Sequence, residues 1–212
     1  FVRTKSLKDT VSEKARHYFE QVKPYLEQCA TFKVQFFGRL IEIVIYDSIN
    51  DYQNTARLCE EALGFFRQKD YTSSIVLQVF NYNLFVCYLN LRQHDKCLLL
   101  ADQYQELFEE GSYNWFKLQE LYFLTAVHAG NYTDASQVCL NVVAHPSFEQ
   151  QTLPEIELWK IFEAYAWLLA RTGLTPANQL TAKFKVSKFL NEIQVFSKDK
   201  AGMNIPVLII QF

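Results

Sequence analysis

Glycine and proline are scarce in this sequence. The chain of 212 residues contains 6 glycines and 5 prolines, whereas glycine alone makes up about 7% of an average protein. These two residue types mark most turns, so a chain with few of them has few turns and long elements. The composition therefore favours long helices over many short strands.

The sequence also lacks an excess of positive charge. Its 21 Lys and Arg residues against 23 Asp and Glu residues give a net charge of −2, whereas a nucleic-acid-binding protein usually carries a basic stripe that neutralises phosphates. Local basic surpluses occur at residues 1–23 and 181–203, the second of which contains Lys183, Lys185, Lys188, Lys198 and Lys200. Such runs are usually solvated surface. The charge balance argues against nucleic-acid binding.

Motifs that would carry catalysis are missing. The phosphate-binding and nucleophile patterns GxGxxG, GxxxxGK and GxSxG do not occur. The closest approach to a metal pair is His94 with Cys97, whereas structural zinc needs four ligands. The acidic pairs Glu60-Glu61 and Glu109-Glu110 have the placement typical of the solvent face of amphipathic helices. We therefore predict that the chain is not an enzyme and holds no cofactor and no metal.

The five cysteines are odd in number, and no two of them form a CxxC pair. Most of them lie in apolar helical patterns, as small reduced core residues do, which predicts a cytoplasmic protein. No signal peptide is visible. The uncharged run 71–91 has the length of a membrane span, but its four amides would be costly in hydrocarbon. We expect a buried amphipathic helix there and no membrane association.

Helical periodicity extends along almost the whole chain. It predicts an all-α fold of nine or ten helices, at 7–28, 32–47, 51–67, 73–91, 94–110, 113–129, 132–144, 153–171 and 183–194, with another that begins near 204. Loops of two to six residues force neighbouring helices to run antiparallel. We expect one array over 1–212, most regular over 30–145 and less regular over 146–212. The chain begins without Met and ends in the apolar run 207–210 followed by Gln211 and Phe212, which suggests a fragment truncated at its C-terminal end.

One spacing recurs along the array. Large residues mixed with small ones appear at offsets 0, 3, 7 and 10 from Tyr52, from His94 and from Tyr132, although the set that starts at His94 ends in Tyr104. Residues 15–25 repeat the spacing, with Pro24 expected to kink that helix. Small residues on one face let two helices approach closely. The repetition therefore predicts an α-solenoid of stacked antiparallel hairpins, in which each hairpin covers the apolar face of the next.

The sequence Gly-Asn-Tyr-Thr-Asp-Ala at 130–135 resembles the turn and second-helix start of a tetratricopeptide-repeat (TPR) unit. Pro146 follows that helix as the family's proline does, and Asn50-Asp51-Tyr52 is similar but less complete. The chain departs from the family pattern where Phe85 and Phe123 replace a small residue, and in its period of about 40 residues. The resemblance identifies a divergent TPR-like array.

This resemblance implies a non-catalytic scaffold that binds a protein or peptide through the first helix of each hairpin. Carried over by position, it implicates five residues in the partner-binding groove: Tyr82, Asn90, Lys117, Glu120 and His128. Two alternatives stay open, namely a peptide-sensing regulatory module whose effector domain lies outside this chain, and a helical-repeat RNA-binding protein that uses 183–200. The apolar C-terminal run also predicts a homo-oligomer.

Overall fold

The computed structural model describes residues 5–69, 73–192 and 209, and these residues form helices and turns without any strand. Within the described ranges there are ten α-helices: α1 (Lys5–Gln28), α2 (Phe32–Asp47), α3 (Tyr52–Arg67), α4 (Ser74–Asn90), α5 (His94–Tyr104), α6 (Tyr113–His128), α7 (Tyr132–Val143), α8 (Leu153–Arg171), α9 (Gln179–Lys183) and α10 (Val186–Glu192). Short 3-10 turns lie at Gln105–Leu107 and Phe148–Gln150. The all-α prediction is confirmed.

The chain divides into two compact units, residues 1–108 and 109–212. In the first unit each helix packs on the next, α1 on α2, α2 on α3, α3 on α4 and α4 on α5. In the second unit α6 packs on α7, α7 on α8, and α8 on both α9 and α10. Within each unit, contact between consecutive helices is therefore the arrangement of an α-solenoid, as the recurring spacing predicted.

Small residues of the recurring spacing are buried where helices meet. Thr55, Cys59 and Ala62 are inaccessible to solvent in α3, and so are Ala135 and Cys139 in α7. In α1 the echo of the spacing fails at its large residues, because Ala15 is buried whereas Tyr18 is exposed. Pro24 lies inside α1, which nevertheless continues to Gln28.

Aromatic side chains connect consecutive helices and also helices that are two apart in sequence. In the first unit Phe66 of α3 stacks on Phe80 of α4, with ring centroids 5.7 Å apart, and Phe36 of α2 meets both rings edge-on. In the second unit Phe123 of α6 stacks on Phe162 of α8 at 4.2 Å. This contact between α6 and α8 explains why position 123 holds a large residue where the family pattern has a small one.

Turns between helices use the left-handed backbone region. Gly130 has φ +79°, and the next N–H, of Asn131, donates to the carbonyl of Ala126 at 2.8 Å, which closes the end of α6. Arg92 adopts the same region with φ +58°, where its Cβ carries a steric cost. This conformation lets the Gln93 N–H bond the Tyr88 carbonyl at 2.9 Å, so the sequence Arg-Gln performs the turn that glycine performs elsewhere.

Two predicted helices differ from the structure by three or more residues at one end. Helix α5 ends at Tyr104 instead of continuing to 110, because the chain turns there to bury Phe108 while the Gln78 amide donates to the Leu107 carbonyl.

The predicted helix 183–194 begins at Val186, and it is preceded by α9, a short helix that was not predicted from the sequence. The signal for α9 was the capping pair Asn178 and Thr181, whose side chains each accept from the other's backbone N–H. The helix predicted from 204 lies outside the described residues except for Ile209, which is helical.

The uncharged run 71–91 contains helix α4. Among the described residues, no helix combines the length and the apolar character that crossing a bilayer requires. The amides of this run are partly satisfied within α4, since Asn81, Asn83 and Asn90 each donate to the carbonyl four residues before, at 2.8 Å.

Candidate partner-binding surfaces

Tyr82 and Asn90 lie on the side of α4 that faces away from its buried residues. The buried face of α4 consists of Val76, Phe80, Asn81, Leu84, Phe85, Cys87 and Tyr88. Its other side, which we name the α4 face, carries half-buried Val79, Tyr82 and Val86 and ends at exposed Ile75 and Asn90. Apolar side chains thus lie on both sides of this helix, and one side is left partly open.

Lys117 and Glu120 lie together on α6 in the second unit. The ammonium of Lys117 is 3.0 Å from the carboxylate of Glu120, and 3.5 Å from that of Glu155 on α8. It also lies 5.8 Å from the ring centroid of Tyr113, a cation–π distance. Burial opposes the charge of Lys117, but the hydrogen bond and attraction of Glu120 outweigh it and raise its pKa. Lys117 is therefore a fixed, partly buried cation.

His128 is the exposed last residue of α6. With Lys117, Glu120 and Leu124 it forms a strip at helical spacing on one side of that helix, which we name the α6 face. The structure therefore brings Lys117 and Glu120 into contact and places His128 on the same helix. Tyr82 and Asn90 belong to the other unit.

A third surface was not predicted. An apolar groove of about 380 Å³ lies between α1 and α2 in the first unit, and we name it the α1–α2 groove. Val11, Lys14 and Tyr18 line it from α1, and Phe37, Ile41 and Val44 line it from α2. Tyr18 is 57% exposed and Phe37 55% exposed, large values for aromatic side chains. The sequence signal that could have indicated it is the helical spacing of these apolar residues, of which only Tyr18 fell within the predicted echo of the recurring spacing.

Four of the five cysteines are core residues, as predicted, whereas Cys29 is only partly buried. Cys59, Cys87, Cys97 and Cys139 are fully buried. Burial raises the pKa of Cys59 and Cys139, and raises that of Cys87 to about 12. Cys97 donates weakly to the Phe85 carbonyl at 3.8 Å, so its sulfur serves helix packing beside His94.

The described residues contain no group of three or more His, Cys, Asp or Glu side chains placed to hold a metal ion. Glu60, Glu61, Glu109 and Glu110, the acidic pairs of the sequence, are all exposed. Glu60 accepts a hydrogen bond from the Tyr88 hydroxyl, which joins α3 to α4. That contact gives Glu60 a structural partner at the surface of the first unit.

Comparison with protein-family models, with curated proteins and with solved structures gives no match for this chain. The arguments about function therefore come from the surfaces themselves.

Proposed function

We propose that this chain is a non-catalytic scaffold of TPR-like helical hairpins that binds a protein or peptide segment. The observation that carries the proposal is the α4 face. Helix α4 has apolar side chains all round, yet Val79, Tyr82 and Val86 are only half-buried, and Ile75 is 64% exposed. Partly open apolar strips of this kind, with polar residues at their ends, are typical of protein-binding surfaces.

The TPR-like assignment is supported by the hairpin of α6 and α7. Gly130 supplies the left-handed turn, and Ala135 and Cys139 are buried at the small-residue positions of the family pattern. In such arrays the first helix of each hairpin contributes most to partner binding, and these first helices are α4 in the first unit and α6 in the second unit. On the α6 face, Lys117 and Glu120, together with Glu155 of α8, would orient a bound segment, since a fixed cation with two carboxylates discriminates between charged partner residues.

The proposal is tested by affinity capture with the full chain from cells that express it natively, with and without nuclease. A protein recovered equally in both samples is expected, whereas material lost on nuclease treatment would favour the RNA-binding alternative. Substitution at an interface hot spot costs about 1 kcal/mol or more, roughly a fivefold loss of binding. We expect such a loss for Tyr82→Ala and for His128→Ala.

A matched control is available for the histidine. His17 is exposed on α1, where its ring bonds the Gln21 amide at 2.9 Å, and His17→Ala should leave recovery of the partner unchanged. Equal recovery with Tyr82→Ala, His128→Ala and His17→Ala would contradict a role for the α4 and α6 faces.

A further inference from the structure

The α1–α2 groove is preformed by contacts that fix the two helices against each other. The Gln35 amide of α2 donates to the Leu26 carbonyl at 2.7 Å and to the Cys29 carbonyl at 2.9 Å, while the Ser12 hydroxyl of α1 donates to the Ile45 carbonyl at 2.8 Å. Gly38 allows close approach, because a Cβ there would lie 2.6 Å from Leu26. The groove thus needs little rearrangement to receive a ligand, which lowers the cost of binding.

The lining of the α1–α2 groove is almost wholly apolar, and Lys14 contributes the hydrocarbon stem of its side chain to it. Of the described residues that line the groove, Lys14 alone is charged. Within the described parts of the chain, Lys14 forms no ion pair with a carboxylate. The charge of Lys14 is therefore available to a partner, beside exposed Tyr18 and Phe37.

We propose that the α1–α2 groove binds an amphipathic helix of another protein that carries a carboxylate at the edge of its apolar face. The groove between two packed antiparallel helices accepts the ridge of a third helix, and helix-in-groove recognition uses anchors at i, i+3 or i+4, and i+7. A volume of about 380 Å³ falls within the range of ligand sites, roughly 300–1,000 Å³. Lys14 selects a partner with an acidic residue next to those anchors.

Charge argues against a second copy of this chain as the occupant. In a two-fold symmetric pair the same patch faces itself, so the groove of each copy would bring its Lys14 towards the other. No acidic side chain lines the groove to compensate, and like charges brought together are repelled. A partner that brings its own carboxylate has the complementary charge.

This inference rests on the proposed function, but it concerns a different surface and is tested separately. The probe is a displayed library of helix-forming 16-residue peptides, selected on the full chain and counter-selected on Phe37→Asp. We expect enriched peptides to share apolar residues at helical spacing and a Glu or Asp beside them. Their synthetic forms should bind Phe37→Asp at least about tenfold more weakly, as for an interface hot spot.

Two variants distinguish binding in the α1–α2 groove from nonspecific binding to exposed apolar residues. Leu99 is 58% exposed on α5, outside the groove, so Leu99→Asp introduces the same charge on an equally exposed apolar residue and should leave binding unchanged. Lys14→Glu should weaken acidic peptides by about two- to fivefold, the worth of an exposed ion pair, and favour versions with Lys in place of Glu. Circular dichroism verifies that each variant is folded.

Several results would overturn the inference. The first is that the selection yields no peptide that binds the wild type more tightly than Phe37→Asp. The second is that the enriched peptides carry no carboxylate. The third is that light scattering shows a dimer of the wild type that Phe37→Asp dissociates. If peptides bind but respond only to Tyr82→Ala or His128→Ala, the scaffold function is retained and the groove assignment fails. If neither set of variants changes the binding of any partner, both proposals fail.

Discussion

The imidazole of His145 occupies the space that a side chain at position 111 would need. A Cβ on Gly111 would lie 2.4 Å from Cε1 of His145, and Gly111 has φ +79°. His145 is held in place, since its Nδ1 accepts from the Ser147 N–H at 3.1 Å and its ring lies against Trp115 and Phe116 with centroids 5.2 and 5.8 Å away. The turn before α6 and the turn after α7 therefore meet at this contact.

Gly111→Ala should destabilise the protein. The left-handed conformation alone costs a non-glycine residue about 1–3 kcal/mol, and the overlap with His145 adds to it. Urea denaturation should show the loss, and Gly111→Ala with His145→Ala should relieve its steric part. Gly64→Ala is the control of opposite sign, because Gly64 lies in α3 with open space around its Cβ position and should gain about 0.5–1 kcal/mol. Equal effects at both glycines would contradict this account.

Phe123→Ala should cost about 3–5 kcal/mol in the free energy of unfolding, the range for a large buried aromatic residue. Phe123 is 2% exposed, stacks on Phe162 and meets Trp159 edge-on at 6.2 Å. Thermal or urea unfolding measures the loss. Leu153→Ala, at an exposed position on α8, should change stability by less than about 0.5 kcal/mol. A small effect of Phe123→Ala would mean that the α6–α8 aromatic contact does not stabilise the second unit.

The burial of a helix face could be predicted from the sequence where that face carries small residues at helical spacing and another helix packs against it. Small residues at helical spacing identified the buried faces of α3 and α7, because close helix approach demands them whatever the partner is. The pair Lys117 and Glu120 was also accessible to sequence reasoning, since residues three apart face each other on a helix. Glu155, the second partner of Lys117, was not, because nothing in a local spacing reports a contact between α6 and α8.

The α1–α2 groove shows what hydrophobic periodicity cannot predict, namely whether an apolar helix face is buried or exposed. Tyr18 and Phe37 have the spacing of core residues, and a single helix cannot reveal whether another element covers them. Exposure depends on which helices pack nearby, which is a property of the tertiary structure. The same limit applies to α5, where an amphipathic pattern continued past Tyr104 although burial of Phe108 turned the chain.

Cys29 should be the first cysteine to react with iodoacetamide in the folded protein. The Thr31 hydroxyl lies 3.2 Å from its sulfur and, with the Thr31 N–H, stabilises the thiolate and lowers the pKa of Cys29 below its ordinary value of 9.0. Burial raises the pKa of Cys59, Cys87 and Cys139 and also blocks access. Mass spectrometry at increasing pH should show modification of Cys29 alone, with a midpoint below pH 9.

Substitution of Thr31 tests the cause of that reactivity. Thr31→Val removes the hydroxyl at nearly constant volume and should move the alkylation midpoint of Cys29 to higher pH, whereas Thr31→Ser keeps the hydroxyl and should leave it nearly unchanged. Modification of a buried cysteine before Cys29, or equal midpoints for the two variants, would contradict the assignment.

The start of α8 should make stability depend on pH in the acid range. Burial acts to raise the pKa of Glu155, but hydrogen bonds from the Thr152 hydroxyl at 2.9 Å and N–H at 3.2 Å, together with Lys117, lower it below its ordinary value of 4.5. A carboxyl whose folded pKa is depressed contributes stability that is complete above its unfolded pKa and is lost as pH falls through the folded value.

Glu155→Gln should therefore cost about 0.5–2 kcal/mol at neutral pH, the usual worth of a helix cap, and the difference from wild type should shrink as pH falls below 4.5. Urea denaturation at several pH values measures it. Thr152→Val removes the hydroxyl donor, so the pKa of Glu155 should rise towards its ordinary value, and the effect of Glu155→Gln should become smaller in that background. A difference between wild type and Glu155→Gln that is constant from neutral pH to well below 4.5 would show that the charge of Glu155 contributes nothing, and that its side chain acts at the start of α8 only through hydrogen bonds that glutamine can also make.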